Sequence, residues 1–194
     1  MTNALDLTLL IGGVRAGKSG RAVELARANE SRGVLFVATA QALDDEMRQR
    51  IATHRAERPA TWETLESPLD LARDLDAVLS NDTRANGIVI VDCLTLWVSN
   101  VLLTLGDAED AESILASRTS ELVDVFDRHA CTVAGAPRKW IVVSNEVGLG
   151  IVPPTPLGRR YRDALGRVNA MVAAAASDVT LMVAGLGMAL KMRT

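Results

Sequence analysis

Eight residues near the N-terminus limit this chain more than any others: Gly12-Gly13-Val14-Arg15-Ala16-Gly17-Lys18-Ser19. The run matches GxxxxGK[ST] in full. Before it, Leu5 to Ile11 is a short apolar run of the kind a buried strand makes. After it, Arg21 to Asn29 puts Ala22, Leu25 and Ala26 on one helical face. A glycine-rich turn between strand and helix lets backbone amides face inward, where with the helix N-terminus they form an anion cradle. In such a cradle Lys18 reaches the β- and γ-phosphates of a nucleoside triphosphate, and Ser19 ligates magnesium.

The rest of the chain alternates in the same way. Val34 to Ala38 reads as the next strand, set off by Gly33, and Asp44-Asp45-Glu46 places acid in a first helical turn with Arg48, Arg50 and Arg55 further along. Pro59 ends that segment. A weak strand at Trp62 to Glu66 precedes a helix from Pro68 to about Leu79. Ile88 to Val91 is a strand that ends in Asp92. Leu94 to Leu105 and Ile114 to Phe126 read as helices, Trp140 to Ser144 as a strand, Leu157 to Ala176 as a long helix, and Val179 to Val183 as a strand. Continuous apolar strands alternating with helices predict an α/β fold, a mainly parallel sheet covered by helices on both faces. With the phosphate loop this is a P-loop NTPase of RecA-like form. At 194 residues it forms a single domain over 1–194.

Lys plus Arg is 21 and Asp plus Glu is 24, a formal charge of −3, which gives no overall electrostatic reason to bind nucleic acid or an anionic membrane. Cys93 and Cys131 lie in no metal or CxxC spacing and read as reduced thiols. The oily stretch from Val168 to Leu190 is interrupted by Asn169, Ser177 and Asp178, so it parses as helix, turn and buried strand and not as a membrane span. The N-terminus lacks the pattern of a signal peptide, and the expectation is a soluble, cytoplasmic protein.

Asp92, at a strand end, is placed to be the Walker B carboxylate for magnesium, although an aspartate there also suits a turn. No Asn-Lys-x-Asp sequence occurs, so the guanine reader of switch GTPases is missing; Ser144-Asn145-Glu146 occupies a comparable strand end without the lysine. A small-molecule transferase fits better than a switch. Of the two histidines, His54 falls on the apolar side of its helix with Met47 and Ile51, and by spacing alone it reads as a residue packed at the edge of the core. His129 has no assigned role.

Several blocks of sequence change that reading. Val34 to Gln41, then Asp44-Asp45-Glu46-Met47, Arg50-Ile51 and His54 to Pro59, form one set. Ser144-Asn145-Glu146-Val147-Gly148-Leu149-Gly150-Ile151-Val152-Pro153, followed by Arg159 to Asp163 and Gly166-Arg167-Val168-Asn169, form another. Together they resemble the bifunctional adenosylcobinamide kinase/adenosylcobinamide-phosphate guanylyltransferases of cobalamin biosynthesis, over Leu9 to about Gly187. The resemblance implies a guanylyl-enzyme intermediate on His54, where relatives often carry two adjacent histidines and this chain has Thr53-His54. It implies that Ala38, Thr39, Ala40, Arg55, Ala56, Glu57, Arg58 and Glu66 line the guanosine nucleotide, and that Asp92 stands where the family often has Glu. GTP, ATP and Mg2+ are the implied cofactors, adenosylcobinamide and adenosylcobinamide phosphate the substrates, and a homo-oligomer, a homotrimer, the implied assembly. The apolar segment Leu96 to Leu105 serves either such an interface or the core. Two other readings remain open here: a P-loop small-molecule kinase without nucleotidyl transfer, and a regulatory module driven by nucleoside triphosphate.

Overall fold

The chain is described by a computed structural model at residues 5–42, 45, 48, 49, 55, 58–81, 86–132 and 134–193. Strands β1 (Asp6–Gly12), β2 (Val34–Ala38), β3 (Glu63–Glu66), β4 (Ile88–Asp92), β5 (Lys139–Val143), β6 (Asp178–Val183) and β7 (Leu186–Lys191) form one sheet in the order β3-β2-β4-β5-β1-β6-β7. Every pairing among the first six is parallel; only β7 runs antiparallel, against β6. The helices are α1 (Lys18–Arg27), α2 (Leu71–Ser80), α3 (Leu94–Leu105), α4 (Ala111–Arg128) and α5 (Pro156–Ala175).

Side chains alternate across a strand, and this sheet is covered on both faces, so consecutive residues enter different cores. In β4, Val89 and Val91 pack with Leu75, Trp97, Leu122 and Val168 from α2, α3, α4 and α5, whereas Ile88 and Ile90 pack with Ala22 and Ala26 of α1. That is why the central strands read as unbroken apolar runs. On the first face Trp140 meets Phe126 at 4.6 Å between ring centroids. Helix α3 is buried through Leu94, Trp97, Val98, Val101 and Leu102, so the apolar segment that sequence left open between core and interface is core, with Leu103 facing out.

Element ends follow local chemistry. Thr155 caps α5 by accepting from the Gly158 N–H at 3.2 Å, with Pro156 in the first turn where its missing N–H costs nothing. Asp70 precedes α2, so that helix begins three residues after Pro68. Buried Arg138 replaces a turn's missing donors: its guanidinium donates to the carbonyls of Asn86 (2.8 Å), His129 (2.9 Å) and Cys131 (3.1 Å). The helix expected from Asp44 lies mostly outside the described residues; Asp45, Arg48, Gln49 and Arg55 within it are helical.

Strand β7 is absent from the sequence reading. Its residues are all exposed, so no burial pattern marks it. The signal available was the two-residue turn Ala184-Gly185, with φ of 51° and 83°, between two apolar runs.

Candidate functional site

The carboxyl ends of β1, β2, β4 and β5 open onto a cavity of about 550 Å³, at the edge where open parallel sheets place ligands. Its walls include the loop Val14 to Gly17 with the first turn of α1 to Gly20, Ala38 at the end of β2 and Ala40 beyond it, Arg58, Glu66, Asp92, Cys93, Thr95 and Asn145.

The loop's shape is set by its neighbours as much as by its own glycines. Gly12 has φ of 150°, and a Cβ there would stand 2.2 Å from the Met182 carbonyl oxygen of β6. Gly17 caps α1 in the left-handed region at φ 90°, and Arg15 also adopts positive φ, 58°. The β6–β7 turn holds the loop from outside, the Gly185 N–H donating to the Ala16 carbonyl at 3.2 Å. Lys18 is 7% exposed and folds back, its ammonium donating to the carbonyls of Gly13 (2.6 Å) and Gly12 (3.0 Å). Burial lowers its pKa from the ordinary lysine value, with Cys93 and the Asp92 carboxylate opposing.

Asp92 ends β4 as expected and lines the cavity with Ser19. A hydroxyl and a carboxylate are hard oxygen donors, the kind magnesium takes alongside phosphate oxygens. Beside it, burial first and Asp92 second push the Cys93 thiol up to about 11, which favours the neutral thiol. Tyr161, whose hydroxyl donates to the Thr95 carbonyl at 3.3 Å, is pushed up to about 12 by burial.

Of the expected nucleotide-lining residues, Ala38, Ala40, Arg58 and Glu66 reach the cavity. Thr39 does not. It is fully buried, its hydroxyl donating to the Cys93 carbonyl at 2.7 Å and accepting from the Cys93 N–H at 2.8 Å, because the alternation of an extended chain turns every second residue inward. It positions the end of β4. Arg58 lies over the Phe36 ring, 3.4 Å from its centroid. Arg55 is exposed and pairs with Glu66 at 3.9 Å. His54, Ala56 and Glu57 lie outside the described residues. His129, unassigned by sequence, meets Asp76 at 2.9 Å, and neither lines the cavity.

Sequence reading missed Cys93, Thr95, Leu96, Ala42 and Val143 as cavity residues. The signal for Thr95 was its place two residues beyond Cys93, in the first turn of a helix that starts at a strand's carboxyl end.

Comparison with known proteins bears on what such a cradle does. A family model described as cobinamide kinase / cobinamide phosphate guanyltransferase matches residues 8–190. The bifunctional adenosylcobalamin biosynthesis protein CobP of Pseudomonas aeruginosa is 44% identical over 183 residues, 94% of this chain and 96% of that one. The bifunctional adenosylcobalamin biosynthesis protein CobU of Salmonella typhimurium is 39% identical over 188 residues, 95% of this chain and 99% of that one. Among solved structures, a prototypical ATPase from the type III secretion system of pathogenic bacteria superposes with a TM-score of 0.59 at 10% identity, covering 96% of this chain and 57% of that one. That likeness shows the fold alone, a P-loop NTPase.

Proposed function

The chain belongs to the cobinamide kinase / cobinamide phosphate guanyltransferase family, and on that premise we propose that one phosphate cradle serves two consecutive transfers. The protein is a bifunctional transferase of adenosylcobalamin biosynthesis. In the first reaction the aminopropanol hydroxyl oxygen of adenosylcobinamide bonds to the γ-phosphorus of a nucleoside triphosphate. The bond to the β–γ bridging oxygen breaks, the diphosphate leaves, and the hydroxyl proton passes to solvent. Positioning and charge neutralisation dominate this chemistry. Lys18 and the amides of Val14 to Ser19 supply them from the protein side, the ammonium exchanging the Gly12 and Gly13 carbonyls for phosphate oxygens. Ser19 and Asp92 are the residues that would hold Mg2+, which would supply positive charge to offset the negative charge of the phosphates when bound.

In the second reaction neutral His54 attacks the α-phosphorus of GTP and expels pyrophosphate. The guanylyl group then passes from the imidazole to the phosphate of adenosylcobinamide phosphate, giving adenosylcobinamide-GDP and freeing the ring. What supports His54 is its chain neighbour: Arg55 pairs with Glu66, a wall of the cavity, and Arg58 lines the same space. Guanidiniums beside the ring would disfavour the imidazolium, while a helix C-terminus would favour it; the attack requires the neutral form. Ala38, Ala40 and Glu66 are the wall against which the guanosine lies. Among the described residues no helix is long and apolar enough to cross a membrane, and we place the enzyme in the cytoplasm, where its nucleotides are.

The test is incubation with α-labelled GTP and magnesium. Label should enter the protein in an acid-labile, alkali-stable bond, as a phosphoramidate requires, and His54→Ala should take up none. Labelling of that variant at the wild-type level refutes the assignment.

A further inference from the structure

Strand β5 runs between β1, which carries the phosphate loop, and β4, which ends in Asp92. The residues leaving its carboxyl end therefore emerge between Lys18 and Asp92, and Asn145 lines the cavity there. Backbone usually gains freedom where a strand ends. Here each successive amide is held: Ser144 N–H donates to the Leu10 carbonyl at 2.9 Å, Asn145 N–H to the Thr95 hydroxyl at 2.7 Å, and Glu146 N–H to the Gly12 carbonyl at 3.1 Å.

The carbonyl side is held by one side chain from α5. Asn169 donates from Nδ2 to the Asn145 carbonyl at 2.9 Å, and its Oδ1 accepts from the Ser144 hydroxyl at 2.6 Å. Ser144, Asn169 and Thr95 are 0%, 6% and 7% exposed, so these bonds form away from competing water. Turning the amide over would set Oδ1 against the Asn145 carbonyl, acceptor against acceptor, so the pairing fixes its orientation. Neighbouring Val168, Leu165 and Val172 supply the packing of this helix face. A leucine would fill the space as well; only the exit of β5 asks for an amide.

We propose that Asn169 is a positioning residue for γ-phosphoryl transfer: through the Asn145 carbonyl it holds Asn145 at the γ-phosphate side of the cradle while touching no substrate itself. The identity of the phosphoryl acceptor rests on the function proposed above; the positioning role does not, because the same γ-phosphate can be released to water.

The experiment measures steady-state phosphorylation of adenosylcobinamide, and γ-phosphate release without it, for wild type, Asn169→Leu, Asn169→Asp, Asn145→Ala and the pair Asn145→Ala/Asn169→Leu. Asn169→Asp is isosteric and keeps an acceptor for Ser144 while losing the donor to Asn145. Thermal unfolding establishes that each is folded. Each single variant should lose about 10- to 100-fold in kcat, the scale of a small misplacement of a reacting group, with KM for nucleotide little changed. The pair should lose no more than the worse single variant, since both act through one residue. Wild-type kcat in either folded Asn169 variant, losses that multiply in the pair, or an effect confined to KM overturns the proposal. Failure of wild type to phosphorylate adenosylcobinamide would count against the proposed function instead, and γ-phosphate release would still decide the role of Asn169.

Discussion

The ammonium of Lys18 lies 2.6 Å from the carbonyl oxygen of Gly13, so the cation meant for phosphate rests on the loop that presents it. Burial makes this a strained charge, its pKa lowered from the ordinary value of 10.5. A bound triphosphate adds negative charge beside it and raises that pKa again.

Nucleotide affinity should therefore depend on pH through Lys18. The bound form has the higher pKa, so binding takes up a proton once the free ammonium begins to titrate. Affinity is full below the lowered pKa of the free protein and declines as pH rises through it toward that of the complex. Calorimetric Kd values across the neutral-to-alkaline range should show this decline, while Lys18→Met binds weakly with no such dependence. That variant should also fail in both half-reactions; retention of either at full rate would argue against a shared cradle.

Gly12→Ala should destabilise the fold by at least about 2 kcal/mol, since an unfavourable φ is compounded by a steric collision. The Cβ would meet the Met182 carbonyl at 2.2 Å, and that atom is backbone in a paired strand with little room to give. Urea denaturation measures the loss. A variant as stable as wild type would mean that β6 can shift, which the Gly185–Ala16 hydrogen bond opposes.

Thr39→Val keeps the shape of the side chain and removes both of its bonds to Cys93. Leaving a partly buried N–H and carbonyl without those partners should cost about 1–3 kcal/mol. Because Cys93 follows Asp92 directly, kcat should fall in both transfers, while Kd for nucleotide without magnesium stays near the wild-type value. Denaturation and single-turnover rates separate the two effects.

Asp76 accepts from His129 and Arg128, and those hydrogen bonds lower its pKa from the ordinary 3.8. A carboxylate depressed in the folded state contributes stability that is present above its unfolded pKa and lost as pH falls through the folded one. Stability measured against pH should thus drop less steeply in acid for Asp76→Asn than for wild type. Parallel curves would show that this cluster contributes nothing to acid sensitivity.

How far the sequence could be read follows from where each signal is stored. The strand Val34–Ala38, the strand Ile88–Asp92 and the helix Leu94–Leu105 were legible to the residue, because long apolar runs bounded by polar or helix-starting residues have few alternatives. The start of α4 at Ala111 was not, since the polar Glu112 and Ser113 follow Ala111 and apolar periodicity begins only with Ile114 and Leu115. Strand β7 was missed for a related reason: an edge strand exposed along its length carries no inside-outside contrast. Thr39 sits in a block whose neighbours Ala38 and Ala40 line the cavity, and alternation by itself does not say which set of alternate residues faces it.

By itself the sequence determined the phosphate cradle, because Gly12 to Ser19 need only their own backbone between a strand and a helix to gather amides around an anion. It determined the parallel sheet too, since strands apolar on both faces can be satisfied only between two layers of helix. Tertiary structure alone decided which strand ends meet. The order β2-β4-β5-β1 brings Ala38, Asp92, Asn145 and Lys18 to one edge from positions far apart in the chain. It also set Asn169 beneath Asn145. Those contacts are non-local: they depend on how helices close over the sheet, and the chemistry of one residue says nothing about a partner the fold has yet to deliver.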